Sequence, residues 1–197
     1  MRLPSPIITI FDLEYTAWEC SRARHWLTPG EYREVVQIGA VKLDANSFAR
    51  LDECNLLLRP RINHQVSAYF HTLTGITQDA VTRDGIDFAD AYRRFLDFAE
   101  GGPIASFGRD DRVLMDNLRL YGIADAAPLP VFYDLRGWFA VQGLDPRGML
   151  SCDIAPALGM SFVGKSHNAL DDARNLAAAM AAMAARGGVR PSMRPAA

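Results

Sequence analysis

The strongest constraint on the fold comes from two acidic residues at the end of a short apolar run. Residues 7–11 are almost all apolar, and Asp12 and Glu14 follow them, separated only by Leu13. Side chains alternate along a strand, so the two carboxylates point to the same face. Two like charges at the edge of a core are unfavourable unless a cation neutralises them, and hard divalent cations prefer oxygen ligands. The spacing alone also fits a strand that ends in an acidic turn.

Two further acidic sites lie far along the chain from the first. Asp110 and Asp111 follow a predicted strand over residues 104–107 and open a predicted helix over about residues 110–121. The apolar residues of this helix lie three, four, eight and eleven positions after Asp110, so Asp110 shares their inward face, whereas Asp111 is rotated from it by about 100°. We therefore select Asp110 as the candidate site residue and expect Asp111 to be an exposed residue of the first turn.

The third acidic site combines a loop histidine with a helix terminus. His167 follows a short loop and precedes a helix predicted from Ala169 to about Ala185, and Asp172 lies in the first turns of that helix. Taken alone, a loop histidine needs no function, and acids at a helix N-terminus are common because they complement the helix dipole. The interpretation as a site therefore depends on all three acidic sites together.

Composition is compatible with a soluble globular protein and excludes little else. The chain of 197 residues is 49% hydrophobic and 22% charged, which favours one domain over residues 1–185 followed by a flexible tail over residues 186–197. The three cysteines are scattered, which argues against a disulfide framework or a zinc site and indicates a cytoplasmic location. The first six residues show no signal-peptide pattern, and no apolar run approaches membrane-spanning length. The net charge of −2 gives no global sign of nucleic-acid binding.

The order of the predicted elements indicates an α/β protein. Three strands come first, over residues 7–13, 35–43 and 51–58, and helices then alternate with shorter strands. The later elements are strands over 104–107 and 131–133, a short helical stretch around 78–81, and helices over 88–99, 110–121, 135–141, 152–158 and 169–185. This order predicts a mixed five-stranded sheet with helices on its faces.

Taken together, these residues resemble the DEDDh family of 3′–5′ exonucleases, which has a ribonuclease-H-like fold. The matching segments are residues 12–16 for the first motif, 36–41 for the second strand, 110–117 for the pattern D-x-x-V-L-x-x-N and 167–177 for the third motif. Residues 66–78 are similar to the branch that trims small RNAs and histone-message ends, and to its KapD-like bacterial relatives. That branch usually carries an aromatic residue before the middle aspartate, where this chain has Arg109.

The resemblance implies a three-layer fold whose first three strands are antiparallel, and a site that hydrolyses nucleic acid. It implies two Mg²⁺ or Mn²⁺ ions held by Asp12, Glu14, Asp110 and Asp172. It implies that His167 is the general base, because an imidazole with a pKa near 6.5 accepts a proton near neutral pH. The residues expected to contact the substrate are Leu13, Tyr15, Thr16, Tyr69, Leu73 and His167. The expected products are nucleoside 5′-monophosphates, released from the 3′ ends of RNA or DNA single strands or short overhangs.

Two other interpretations of the same residues stay open. One is an oligoribonuclease-like enzyme that degrades very short RNAs, and the other is a nucleic-acid-binding module without turnover. The candidates for a basic lip that guides the strand are Arg22, Arg24, Arg59, Arg61 and Arg109. For each single arginine, a solvated surface position is the simpler interpretation.

Overall fold

The computed structural model describes residues 5–187 of the chain, and its centre is one mixed sheet of five strands. The strands are β1 (Ile7–Tyr15), β2 (Val35–Asp44), β3 (Arg50–Leu57), β4 (Ile104–Ser106) and β5 (Phe132–Asp134). Their order in the sheet is β3-β2-β1-β4-β5. β1 pairs with β2 and β2 with β3 in antiparallel fashion, whereas β4 runs parallel to β1 and to β5. The predicted mixed sheet with three antiparallel strands first is therefore confirmed.

Helices cover both faces of the sheet. They are α1 (Ala68–Thr74), α2 (Gln78–Asp84), α3 (Phe88–Ala99), α4 (Asp110–Leu120), α5 (Leu135–Val141), α6 (Ile154–Ala157) and α7 (Ala169–Gly187), with a 3₁₀ turn over Ser151–Asp153 before α6. α3 has the bounds that its apolar spacing predicts. The helix predicted over residues 152–158 is instead the 3₁₀ turn followed by a single short helix, and α1 is not predicted from the sequence at all.

The alternation of side chains along β1 divides the core into two halves. Ile8 and Ile10 belong to a buried cluster that includes Phe139 of α5 and Leu176 of α7. Phe11 and Leu13 point to the other face and belong to a second cluster, which includes residues of α3 and α4. Because the side chains have a period of two, Asp12 and Glu14 continue the face of Ile8 and Ile10. The acidic end of β1 therefore faces the side of the sheet that α7 covers.

The N-terminus of α7 lies directly against the backbone of β2. A Cβ atom built on Gly39 would lie 2.0 Å from the backbone nitrogen of Leu170, a distance that no side chain allows. Next to this contact, the buried Gln37 side chain accepts a hydrogen bond of 3.0 Å from the Ala169 N–H and donates one of 2.9 Å to Asn55 of β3. Gln37 thus satisfies one of the free N–H groups at the start of α7. These contacts fix the start of α7 over the middle of the sheet.

The last helix ends slightly beyond its predicted position. α7 ends at Gly187, two residues past Ala185, where the sequence predicts its end, and residues 188–197 of the predicted tail lie outside the described residues. Within residues 5–187, no helix has both the length and the apolar content needed to cross a membrane.

Candidate active site

Three carboxylates from the two ends of the chain meet at the edge of the sheet. Asp12 and Glu14 come from β1, and Asp172 comes from the first turns of α7. One oxygen of each carboxylate lies within 4.8 Å of the others, and all three residues are buried. The alternation in β1 places the first two side chains on the same face, and the contact of α7 with β2 brings the third above them.

Asp172 occupies the inward face of α7. It lies in line with Ala169, Ala173 and Leu176, which are fully buried against the sheet, and only 1% of its own surface is exposed. Its Oδ1 atom is buried and has no hydrogen-bond partner among the described residues. An acceptor left in this state is unfavourable unless a cation or another partner completes it. An unpaired carboxylate oxygen on a residue with two further carboxylates close by fits the ligands that a hard divalent cation prefers.

The electrostatics of the cluster point in the same direction. Burial raises the pKa of Asp12 well above its ordinary value, and the charges of Asp110, Asp172 and Glu14 raise it further, opposed only by a hydrogen bond from Ser151. Burial likewise raises the pKa of Glu14, with additional repulsion from Asp172 and Asp110. The carboxylates therefore resist full ionisation on their own, and a cation in their midst would relieve that cost.

The middle aspartate lies beside this group. Asp110 is not part of the compact set of three, but it lines the same cleft and its charge acts on both Asp12 and Glu14. Burial raises the pKa of Asp110 to about 7. Asp111 instead forms an ion pair of 2.8 Å with Arg109. Of the two adjacent aspartates, the structure brings Asp110 to the cleft. The expectation that Asp111 is exposed is wrong, because its ion pair with Arg109 partly buries it.

Asp12, Glu14 and Asp110 form the acidic floor of a cleft of about 550 Å³, and Asp172 is buried beside Asp12 and Glu14. Of the residues expected to contact the substrate, Leu13, Tyr15, Tyr69 and Leu73 all line this cleft. Tyr15 packs edge-on against Trp26, with ring centroids 5.4 Å apart, and Tyr69 is 42% exposed on α1. The cleft therefore combines an acidic floor with partly apolar, aromatic walls.

Thr16 differs from the other expected contact residues. It is buried and does not line the cleft. Its hydroxyl donates a hydrogen bond to the carbonyl of Tyr32 and accepts one of 3.0 Å from the Glu34 N–H. The hydroxyl of Thr16 is thus already used as a donor and as an acceptor within the fold, and its hydrogen bonds stabilise the chain directly after β1.

His167 reaches the cleft from the loop before α7. Its side chain is half-buried, lines the cleft and has a backbone φ of 60°, a left-handed conformation that is uncommon outside glycine. Burial lowers the pKa of His167, and the positive charges of Arg22 and Lys165 lower it further, whereas Asp153 opposes them. The imidazole is thus kept unprotonated at neutral pH.

A network of polar side chains fixes this loop to α7. Asn175 accepts a hydrogen bond of 3.0 Å from the Val163 N–H and donates one of 2.8 Å to the carbonyl of the same residue. Asp171 accepts a hydrogen bond of 2.9 Å from the Lys165 N–H and forms an ion pair of 2.9 Å with Arg174. The loop therefore has backbone contacts to α7 at two positions before His167.

Two contributors to the site have no recognisable signal in the sequence. Ser151, in the 3₁₀ turn, hydrogen-bonds to Asp12 and lines the cleft, and Arg136 lines the cleft from the start of α5. Neither belongs to a motif, because each reaches the site through packing between elements that are distant in sequence. Only the tertiary fold identifies them.

Comparison with protein families and sequences shows related proteins over most of the chain. A family model described as an exonuclease, RNase_T, matches residues 9–180. The 3′-5′ exoribonuclease 1 of Mus musculus is 26% identical over 182 residues, which cover 86% of this chain and 50% of that protein. The protein of the same name from Rattus norvegicus has the same identity and coverage. The chain thus spans about half the length of the curated relatives that it matches.

Solved structures confirm the expected ribonuclease-H-like fold. The nuclease domain of 3′hExo, described as a DEDDh family member bound to rAMP, superposes with a TM-score of 0.80 at 23% identity, and the match covers 97% of both chains. A 3′-exonuclease studied for its recognition of the histone mRNA stem-loop has a TM-score of 0.78 at 24% identity, covering 94% of this chain and 65% of that one. Cell-death related nuclease 4 has a TM-score of 0.75 at 19% identity, covering 93% of this chain and 65% of that one.

Proposed function

This chain belongs to the exonuclease family that the RNase_T model describes, and we propose that it is a metal-dependent 3′–5′ exonuclease. Its substrates would be the 3′ ends of single-stranded RNA or DNA, or short 3′ overhangs, and its products nucleoside 5′-monophosphates. The observation that supports this most strongly is the buried cluster of Asp12, Glu14 and Asp172, of which Asp12 and Glu14 line an open cleft. The scattered cysteines, all free thiols, favour a cytoplasmic location.

The four carboxylates are proposed as the ligands of two Mg²⁺ or Mn²⁺ ions. Asp12, Glu14 and Asp172 supply the compact set of oxygens, and Asp110 completes it from the neighbouring wall. The unpaired, buried Oδ1 of Asp172 fits this assignment, because a cation would give that atom its missing partner. When bound, such ions supply an activated water and stabilise the charge that develops on the leaving 3′-oxygen.

His167 is proposed as the general base. Its side chain lines the cleft beside the carboxylates, on a loop that hydrogen bonds attach to α7. A lowered pKa leaves the imidazole neutral at physiological pH, so it can accept the proton of the attacking water. The fixed loop keeps the ring at a constant distance from the acidic floor, which general base catalysis requires.

The walls of the cleft are proposed to hold the terminal nucleotide. Leu13, Tyr69 and Leu73 offer apolar surface for the base, and Tyr15 lies beside the acids where the sugar would follow. Thr16 would act from below by fixing the end of β1, since its hydroxyl is already hydrogen-bonded within the fold. His167 would contact the phosphate that is cleaved.

The direct test is digestion of end-labelled strands. RNA and DNA, single-stranded or with a short 3′ overhang, are incubated with Mg²⁺, with Mn²⁺ or with a chelator, alongside the His167→Ala variant. We expect stepwise shortening from the 3′ end, release of mononucleotides, and loss of activity with chelator or in the variant. Internal cuts, or shortening that continues in the chelator, would refute the proposal. Efficient digestion limited to dinucleotides would favour an oligoribonuclease-like enzyme, and binding without turnover would favour a binding module.

A further inference from the structure

Three arginine side chains line the candidate active-site cleft, and they differ in what they contact. Arg109 forms an ion pair of 2.8 Å with Asp111, and Arg136 is paired with Asp134. Arg22 is exposed and forms no ion pair with any residue between 5 and 187. The first two guanidinium groups are therefore largely neutralised within the protein, whereas the charge of Arg22 is available to a ligand in the cleft.

The loop that bears Arg22 is fixed by internal hydrogen bonds. The adjacent Ser21 is buried, accepts a hydrogen bond of 3.1 Å from the Trp18 N–H, and has its carbonyl bound to the Trp26 N–H at 2.9 Å. The indole of Trp26 donates a further hydrogen bond of 3.0 Å to the carbonyl of Thr16, at the end of β1. Arg22 thus projects from a loop that is attached to the strand carrying Asp12 and Glu14.

Arg22 lines the same cleft as His167, Asp12 and Glu14. The floor of this cleft consists of carboxylates, which repel a phosphodiester. A guanidinium presents several N–H donors in a plane that matches phosphate oxygens, and its charge is permanent. The chemistry that Arg22 offers to the cleft is therefore that of a phosphate ligand.

We propose that Arg22 binds a backbone phosphate of the substrate strand beside His167 and thereby determines the affinity for the strand. The inference rests on the proposed exonuclease function and adds a substrate-binding residue to it. Because the contact is to the backbone, it acts on RNA and DNA alike and does not depend on the base. Removing one phosphate contact should weaken binding by about tenfold and lower the slope of log affinity against log salt by about 1.

The test compares Arg22→Ala and Arg22→Lys with the control Arg94→Ala. Arg94 is an exposed residue of α3 that does not line the cleft and forms no ion pair within the described chain, so its loss removes the same charge elsewhere. KM and kcat are measured on single-stranded RNA with Mg²⁺ at two salt concentrations. In parallel, fluorescence anisotropy measures the binding of a phosphorothioate strand that resists hydrolysis. Unchanged thermal unfolding of each variant ensures that the fold is intact.

For Arg22→Ala we expect KM and the dissociation constant to rise about tenfold, with kcat within about threefold of the wild type. Arg22→Lys should recover most of the affinity, since it keeps the charge but loses the planar donors. If Arg22→Ala matches Arg94→Ala in both constants, or lowers only kcat, the inference is wrong. If the wild type binds the strand but does not shorten it, the exonuclease proposal fails, and the ratio of dissociation constants still decides the role of Arg22. If the wild type does not bind strands at all, both proposals fail.

Discussion

Two buried acidic regions of this protein have opposite surroundings. Glu34 is fully buried, and donors surround its carboxylate: the backbone N–H groups of Arg61 and Ile62 at 2.8 Å, that of Asn63 at the second oxygen, and the hydroxyl of Tyr121 at 2.6 Å. Hydrogen bonds of this kind compensate the cost of burying a charge. Through these hydrogen bonds, Glu34 holds the loop that follows β3 against the start of β2.

The cluster at the end of β1 has the same kind of side chain and few of these donors. Glu14 faces Asp172 and Asp110, and no hydrogen bond offsets the rise in its pKa. Asp172 retains an unpaired buried oxygen. The contrast teaches that burial alone does not identify a functional acid. A buried carboxylate supplied with donors stabilises the chain, whereas one that faces other carboxylates needs a cation or a proton to offset the repulsion.

The same substitution at the two sites should give opposite results. Glu14→Gln removes one proposed metal ligand and one repelling charge while keeping the shape of the side chain. We expect the rate of strand shortening to fall by roughly 10³-fold, because a lost metal ligand removes several kcal/mol of transition-state stabilisation. The thermal midpoint without metal should rise, because like-charge repulsion is relieved. Single-turnover kinetics and thermal unfolding in chelator check both; a lower midpoint would contradict the account of the cluster.

Glu34→Gln is the matched change in the donor-rich region. Its amide nitrogen cannot accept the hydrogen bonds that the carboxylate accepts, so buried N–H groups lose their partner. We expect a loss of about 3 kcal/mol in the free energy of unfolding, or roughly 10 °C in the thermal midpoint. Activity per folded molecule should stay within a few-fold of the wild type. Urea unfolding measures the loss, and a variant as stable as the wild type would show that the donors around Glu34 contribute little.

Metal should stabilise the protein more at high pH than at low pH. Asp172 has a folded-state pKa raised from 3.8 to about 7 by burial. Its contribution to stability without metal is therefore present below about pH 4 and is lost as the pH rises through 7. Metal binding requires the ionised form, so saturating Mg²⁺ should add about 2 kcal/mol at pH 8 and clearly less at pH 6. Thermal unfolding with Mg²⁺ or chelator at both pH values measures this, and Glu14→Gln serves as control. An equal gain at both pH values would argue against the acidic cluster as the binding site.

The smallest expected effect distinguishes two adjacent aspartates. Asp111→Asn breaks the ion pair with Arg109 at the edge of the cleft, and we expect less than about 1 kcal/mol in stability and a rate within about threefold of the wild type. Asp110→Asn should lower the rate by at least roughly 10²-fold, because it removes a proposed metal ligand. Parallel kinetics on the two variants decide between them. Equal losses of rate in the two variants would mean that the position of an aspartate around α4 does not determine whether it acts in the site.

Local sequence patterns predicted a large part of this fold. The alternation along β1 predicted that Asp12 and Glu14 share a face, and the apolar spacing of α3 and α4 predicted both helices and the inward direction of Asp110. These features depend on the periodicity of a single element, which the sequence displays directly. The local signal for α1 lies in its caps and not in an apolar period, because Ser67 caps its start and Gly75 ends it with a φ of 77°.

Other features depend on pairs of residues that are distant in sequence and have no local pattern. Ser151 reaches Asp12 only because the 3₁₀ turn packs beside the end of β1. Glu34 is an unremarkable residue in the sequence, and its role follows from the loop that the fold places around it. Thr16 was expected at the substrate because it follows the acidic pair, but its hydroxyl is used within the fold. Spacing along a strand cannot report which of two faces a neighbouring loop will occupy.

The close contact between β2 and α7 makes position 39 sensitive to any side chain larger than that of glycine. Because the backbone of Leu170 touches the position of a missing side chain at Gly39, a single methyl group there would lift the whole start of the helix. The distance between Asp172 and the two acids of β1 therefore depends on a glycine of β2, a strand that supplies no proposed metal ligand. A larger residue at position 39 would therefore move Asp172 away from Asp12 and Glu14 and separate the carboxylates without altering any residue of the site itself.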